Sequence, residues 1–200
     1  MSRETLRVFF ALELPSEARE RAAKAAQALR AGVPRGVRWV PPENLHLTLK
    51  FLGDVDAAQV PRLIGRAEAK LWPVPPFEVE LAGLGALPSV RSARVLWLGV
   101  RKGNREMARI ARKLDAAAAS IGVERERRPF QAHLTLGRLR PPAHVALERL
   151  EAPRGIAFGV EEVILYESRL SPDGARYIPL ARLPLMQVED AEAREFAPEI

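Results

Sequence analysis

The four-residue word His-Leu-Thr-Leu occurs twice, at 46–49 and 133–136, in a chain with only three histidines. The copies start 87 residues apart, and each closes a segment built in the same order. LRVFFALE (6–13), rich in aromatic and branched residues, reads as a buried strand. Ser16, after Pro15, is the candidate N-cap of an Ala-rich helix running to about Arg30, which Gly32, Pro34 and Gly36 break. VRWV and LHLTLKFLG then come as extended segments. In the second copy RVLWLGV (94–100) is the strand and Asn104 the candidate N-cap of a helix reaching Ile121. Its apolar residues Met107, Ile110, Leu114, Ala118 and Ile121 fall three or four apart, which predicts one buried stripe. Gly122 ends it, and FQAHLTLGRL (130–139) is the next strand. The first strands start at residues 6 and 94, an offset of 88. Two independent offsets therefore agree on an internal duplication of a strand–helix–strand half.

Strand geometry says what HLTL is for. Side chains alternate, so His46 and Thr48 share one face while Leu45, Leu47 and Leu49 share the other. In the second copy Ala132, Leu134 and Leu136 face inward, and His133 and Thr135 outward. A pseudo-twofold axis would bring the two outer faces together as a cleft holding two imidazoles and two hydroxyls. Such a set suits chemistry on a phosphodiester. Near pH 6.5 one imidazole can take a proton while its partner gives one, and hydroxyl donors can hold the non-bridging oxygens as charge builds. No metal, nucleotide cofactor or covalent intermediate is required. Other readings of the same residues are retention of the repeat for packing and a zinc site. The zinc site is short of ligands, since only Glu43 lies near the first copy and nothing similar precedes His133. His144, after Pro141-Pro142, reads as a surface residue.

Further segments fill in each half. DVDAAQVPRLIGRAEAKL (54–71) predicts a helix from a D-x-x-Q start at Asp56, and FEVELAGLGAL (77–87) predicts a strand. GVEEVILYES (159–168) and ARYIPLARLPL (175–185) predict a hairpin closed by SPDG. The expected fold class is α+β and bilobal: two pseudo-symmetric lobes, each a mostly antiparallel sheet backed by helices, with the active cleft between them. One domain should span residues 1–188, leaving an acidic tail at 189–200.

Charge narrows the partner. The chain carries a net +6, but the tail has five acids and one Arg, so residues 1–188 carry +10. A basic body favours a polyanion such as nucleic acid, although an Arg-rich, Lys-poor composition would produce the same balance. With no cysteine, disulfides, thiolate ligands and a cysteine nucleophile are excluded. No apolar run is long enough to span a membrane, and VFFALELP contains Glu13 and lacks a cleavage pattern, so it reads as a strand and not a signal peptide. A cytoplasmic, monomeric protein is expected.

The two H-x-T words and their surroundings resemble the two-histidine (2H) phosphoesterase superfamily, and within it the bacterial RNA 2′,3′-cyclic phosphodiesterases (the LigT-like or 2′-5′ RNA ligase family). The residues that carry the likeness are RVFFALELP (7–15), VRWVPPENLHLTLKFLGDV (37–55) and RPFQAHLTLGRL (128–139). They stand in the family's order and cover roughly residues 5 to 185. The resemblance implies His46 and His133 as catalytic residues, His46 as proton donor and His133 as proton acceptor, with Thr48 and Thr135 on the phosphate. It also implies an Arg shortly after the second motif, here Arg138. Strict alternation places Arg138 on the leucine face, and a bulge or strand end at Gly137 would turn it into the cleft. Phe9 or Phe10 and Trp39 are candidates to stack a base, and Arg127 and Arg128 to line an RNA path. The implied substrate is an RNA end or nucleotide with a 2′,3′-cyclic phosphate, hydrolysed to a 2′-phosphate without metal or cofactor. Reverse 2′-5′ ligation belongs to the same chemistry. An RNA-binding module without turnover and a metal-dependent phosphoesterase are the alternatives.

Overall fold

The structure, a computed structural model, describes residues 4–172 and 174–186. The acidic tail and Asp173 of the SPDG turn lie outside the described residues. Strand β1 (Thr5–Glu13) is buried on both faces from Val8 to Leu12. Val8, Phe10 and Leu12 join the main core, while Phe9 and Ala11 form a separate cluster with Ile164 and Tyr166. Burial on both faces marks an interior strand. β1 is paired on one side with β3 (His46–Asp56) and on the other with β8 (Glu162–Ser171).

The remaining strands are β2 (Val37–Trp39), β4 (Phe77–Leu87), β5 (Ala93–Lys102), β6 (His133–Ala143), β7 (Ile156–Val160) and β9 (Gly174–Pro184). They form one sheet in the order β7-β4-β5-β6-β3-β1-β8-β9, with β2 added to β6, and the pairings are antiparallel. At its centre β3 and β6 meet through the single pair Leu47–Leu134. That seam divides a first lobe, β3-β1-β8-β9, from a second, β6-β5-β4-β7. The lobes are not the two halves of the chain. β4 precedes the second repeat yet pairs with β5, and the hairpin of β8 and β9 returns to pair with β1.

Three helices, α1 (Ser16–Leu29), α2 (Val60–Leu71) and α3 (Asn104–Ala119), cover the leucine face. Four residues of the predicted α3 stripe, Met107, Ile110, Leu114 and Ala118, are fully enclosed, whereas the fifth, Ile121, lies past the end of the helix and is half-buried. Two caps differ from expectation: Pro15, and not Ser16, precedes the first turn of α1, and Gly103, and not Asn104, precedes that of α3. Gly103 has φ +89°, and a Cβ there would sit 2.6 Å from the Glu78 carbonyl oxygen. Only glycine fits that turn.

One irregularity recurs in both copies. Along β3, Ala11 pairs with Thr48 but Phe10 pairs with Lys50, so Leu49 is bulged. Along β6, Trp97 pairs with Thr135 but Leu96 pairs with Gly137, so Leu136 is bulged. The bulges lie 87 residues apart, as the histidines do. Each inserts one residue and reverses the facing of the residues beyond it. Lys50 and Gly137 therefore turn toward the helices and β2, and Phe51 and Arg138 toward the H-x-T face.

Candidate active site

The seam register assembles the site. Extending the Leu47–Leu134 pair by one residue each way sets His46 opposite Thr135 and Thr48 opposite His133. Paired side chains on an antiparallel ladder share a face, with diagonal neighbours about 7–8 Å apart at the backbone. The two imidazoles thus occupy opposite corners of a four-residue square, and the two hydroxyls occupy the others.

Both rings are oriented in the same way. His46 Nδ1 donates to the Asn44 carbonyl oxygen at 2.8 Å, and His133 Nδ1 donates to the Gln131 carbonyl oxygen at 2.9 Å. A carbonyl only accepts, so each neutral ring carries its proton on Nδ1 and offers Nε2 as the base. His46 Nε2 lies 3.0 Å from Thr48 Oγ1 and accepts from that hydroxyl. An aromatic ring from a neighbouring strand supports each imidazole: Phe9 lies 4.9 Å from His46, and Trp97 lies 6.0 Å from His133. Tyr177 of β9 meets the His46 ring edge-on at 5.1 Å. The Asn44 side chain donates to the Ala175 carbonyl oxygen at 2.8 Å, tying the His46 approach to the same hairpin.

The surroundings of His46 perturb its titration. Burial lowers the His46 pKa below 6.5; its bond to Asn44 opposes this, and the charges of Arg138 and His133 add to the lowering. Burial pushes the Tyr166 hydroxyl up to about 12, with the Glu13 carboxylate adding to it, so this wall of the cleft stays neutral.

Arg138 is exposed, and its charge reaches both His46 and Tyr177. The bulge at Leu136 moves it off the leucine face. Gly137 behind it is filled by β2, since a Cβ there would lie 2.7 Å from Val37 Cγ1. The aromatic candidates need correction. Phe10 is fully buried on the helix side and presents no face to a base. Phe9, 3% exposed, is packed among His46, Tyr166 and Tyr177. Trp39 is half-buried, packed against the core with the Arg30 guanidinium 5.6 Å from its ring. On the H-x-T face the exposed ring among the described residues is Phe51, with the Arg7 guanidinium at 4.9 Å. Its signal was available in the sequence: Phe51 follows His46 by five residues, as Arg138 follows His133. Arg127 and Arg128 are exposed beside a groove that reaches His133, and Arg127 pairs with Glu124 at 3.0 Å. His144 is exposed, as expected. Among the described residues no three His, Cys, Asp or Glu side chains gather as metal ligands.

The family model for LigT-like phosphoesterases matches residues 12–97 and 98–177. The chain belongs to that family. Its two matched segments meet inside β5, so the repeat boundary is not the lobe boundary. The RNA 2′,3′-cyclic phosphodiesterase of Escherichia coli K12 is 35% identical over 189 residues, 92% of this chain and 99% of that protein. The protein of the same name from Methanothermobacter thermautotrophicus is 33% identical over 86% of this chain and 95% of its own length. Among solved structures, E. coli LigT complexed with 3′-AMP superposes with a TM-score of 0.78 at 34% identity, covering 92% of this chain and all of that one. A Thermus thermophilus protein superposes at 0.80 with 29% identity over the same shares. The antiparallel α+β fold is shared with both.

Proposed function

We propose that this protein hydrolyses 2′,3′-cyclic phosphates at RNA ends or on nucleotides to 2′-phosphates, the activity for which its relatives are named. The observation that carries the reading is the seam register: two Nδ1-anchored imidazoles at opposite corners of a square whose other corners are threonine hydroxyls. In-line opening of the ring needs a base on one side of phosphorus and an acid on the other. His133 Nε2 takes the proton of water as its oxygen attacks. His46 Nε2 gives a proton to the departing 3′-oxygen, and the 2′-oxygen keeps the phosphate. Thr48, Thr135 and Arg138 hold the non-bridging oxygens. The lowered His46 pKa fits an acid that is charged by its substrate, because a bound phosphodiester anion replaces water beside the ring and draws a proton onto it. The same histidines run backwards would join a 5′-hydroxyl to the cyclic end. Water outcompetes dilute RNA ends, so hydrolysis dominates. The protein acts without metal or cofactor, as a cytoplasmic monomer. In support, the exposed large apolar side chains among the described residues, Phe51, Trp72, Val90 and Leu170, come from four separate segments. No described helix is long and apolar enough to cross a membrane.

The test is turnover of a nucleoside 2′,3′-cyclic phosphate by His46→Ala and His133→Ala. Each should lose about 10²–10⁴-fold, and the double variant less than the product of the two losses. A cyclic analogue with sulfur as the 3′ bridging atom has a leaving group that departs without a proton, and it should rescue only His46→Ala. Rescue of His133→Ala instead would exchange the roles. Near-normal rates in both single variants would end the two-histidine mechanism, and binding without product in the wild type would favour the RNA-binding module. Loss of activity after exhaustive chelation would favour the metal-dependent reading.

A further inference from the structure

A groove of about 730 Å³ opens off the cleft at its His133 end. Thr48 and Phe51 of β3 form one wall, Ala111 and Arg112 of α3 a second, and the segment entering β6 the third. Its lining carries four cations, Lys50, Arg112, Arg127 and Arg128, against two carboxylates, Asp115 and Glu126. Both carboxylates are engaged. Asp115 pairs with Lys50 at 2.7 Å, and Glu126 Oε1 accepts from the Arg128 amide at 3.0 Å. Arg127 pairs with Glu124, which leaves Arg112 and Arg128 as the guanidinium groups presented to the groove.

The third wall has no helix or strand from 123 to 132, yet it is tied down. The Leu49 bulge sends Lys50 under β3, where it is 8% exposed, and its Nζ also donates to the Glu124 carbonyl oxygen at 3.3 Å. The Glu126 amide donates to Asp115 Oδ1 at 3.0 Å, and at the far end of the wall the Gln131 carbonyl oxygen holds His133 Nδ1. One buried ion pair thus links the strand carrying His46, helix α3 and the wall leading to His133.

We propose that this groove is a subsite for the RNA chain on the 5′ side of the cyclic end, making the protein selective for oligonucleotides over mononucleotides. The inference rests on the cyclic-phosphate reading above. Two observations select a nucleic acid strand as occupant: the excess of guanidinium charge, and the continuity of the groove with Thr48 and His133. A mononucleotide fills the H-x-T square and leaves the groove empty. A longer chain must leave the square somewhere, and this is an exit where its phosphates meet cations on ordered walls.

The experiment compares kcat/KM for a nucleoside 2′,3′-cyclic phosphate and a trinucleotide ending in the same group, across a salt series. The trinucleotide should be preferred at low salt, and its preference should fall with salt by a log–log slope of roughly 0.7 per phosphate contact. Arg112→Glu should remove about one such contact and about tenfold of the trinucleotide rate, leaving the mononucleotide within about twofold. Arg66→Glu, the same charge change on the exposed side of α2, should leave the preference intact. Equal treatment of both substrates by the wild type, or equal effects of Arg112→Glu and Arg66→Glu, would overturn the subsite. Anisotropy of a labelled trinucleotide with a 3′-phosphate reads the groove without turnover. Binding there that is unchanged by Arg112→Glu refutes the subsite, whereas a wild type inert on the cyclic mononucleotide refutes the activity instead.

Discussion

Replacing Lys50 with Met, Asp115 with Leu, and both together should give a non-additive series in stability. At 2.7 Å and an effective dielectric of about 20, the pair attracts by roughly 6 kcal/mol. Desolvation of two ions at 8% and 16% exposure costs several kcal/mol each, so the pair gains little over an apolar one. Removing one partner strands the other, at about 3–5 kcal/mol. Lys50→Met should fall at the lower end, because Asp115 keeps the Glu126 amide at 3.0 Å and some water. Asp115→Leu should fall at the upper end, because Lys50 is left with a carbonyl at 3.3 Å. The double variant should return to within about 1.5 kcal/mol of wild type. Urea unfolding followed by tryptophan fluorescence reads all four proteins. Acid adds a sign. Burial raises the Asp115 pKa, but Lys50 and the Glu126 amide outweigh it and hold the folded value below the ordinary 3.8. Its stabilisation is complete above that value and is lost as pH falls through the folded pKa, so the double variant should lose less stability in acid. Additive single losses, or single losses under about 0.5 kcal/mol, would refute the account of a closed, mutually dependent pair.

Arg138→Ala removes a positive charge that depresses His46, so the His46 titration followed by NMR should move upward; a downward move would contradict the placement of Arg138 in the cleft. Gly103→Ala, at φ +89° and with a carbonyl oxygen in the way, should cost at least about 1–2 kcal/mol and lower Tm by roughly 2–8 °C; an unchanged Tm would show that the turn before α3 can relax.

Much of the site was legible because it is local. Alternation over four residues places His46 and Thr48 on one face, and the repeat then duplicates that face. The helical stripe of α3 was legible for the same reason. Arg138 was named by the resemblance and not by alternation, which set it on the leucine face; the bulge that turns it, at Leu136 and not at Gly137, is a property of pairing with β5. Phe9 and Phe10 could not be told apart, since an interior strand is apolar on both faces and parity carries no contrast. Tyr177 was missed because it reaches His46 from 131 residues away, by a strand return that no periodicity encodes.

The exchange of strands between the lobes sets a timetable for synthesis. β3 ends at Asp56, but β8, which completes the other side of β1, begins at Glu162, 106 residues later. At about 5–20 residues per second, the nascent chain spends roughly 5–20 s with one edge of β1 unpaired. The first H-x-T word is made before that interval and the second within it, both before Tyr166 and Tyr177 exist to close the pocket around Phe9 and His46. A nascent or clipped chain ending after β7 would carry all four H-x-T residues and still hold no finished site. Such a chain is expected to be inert on a 2′,3′-cyclic phosphate, and measurable turnover by it would show that the hairpin of β8 and β9 is dispensable to the site.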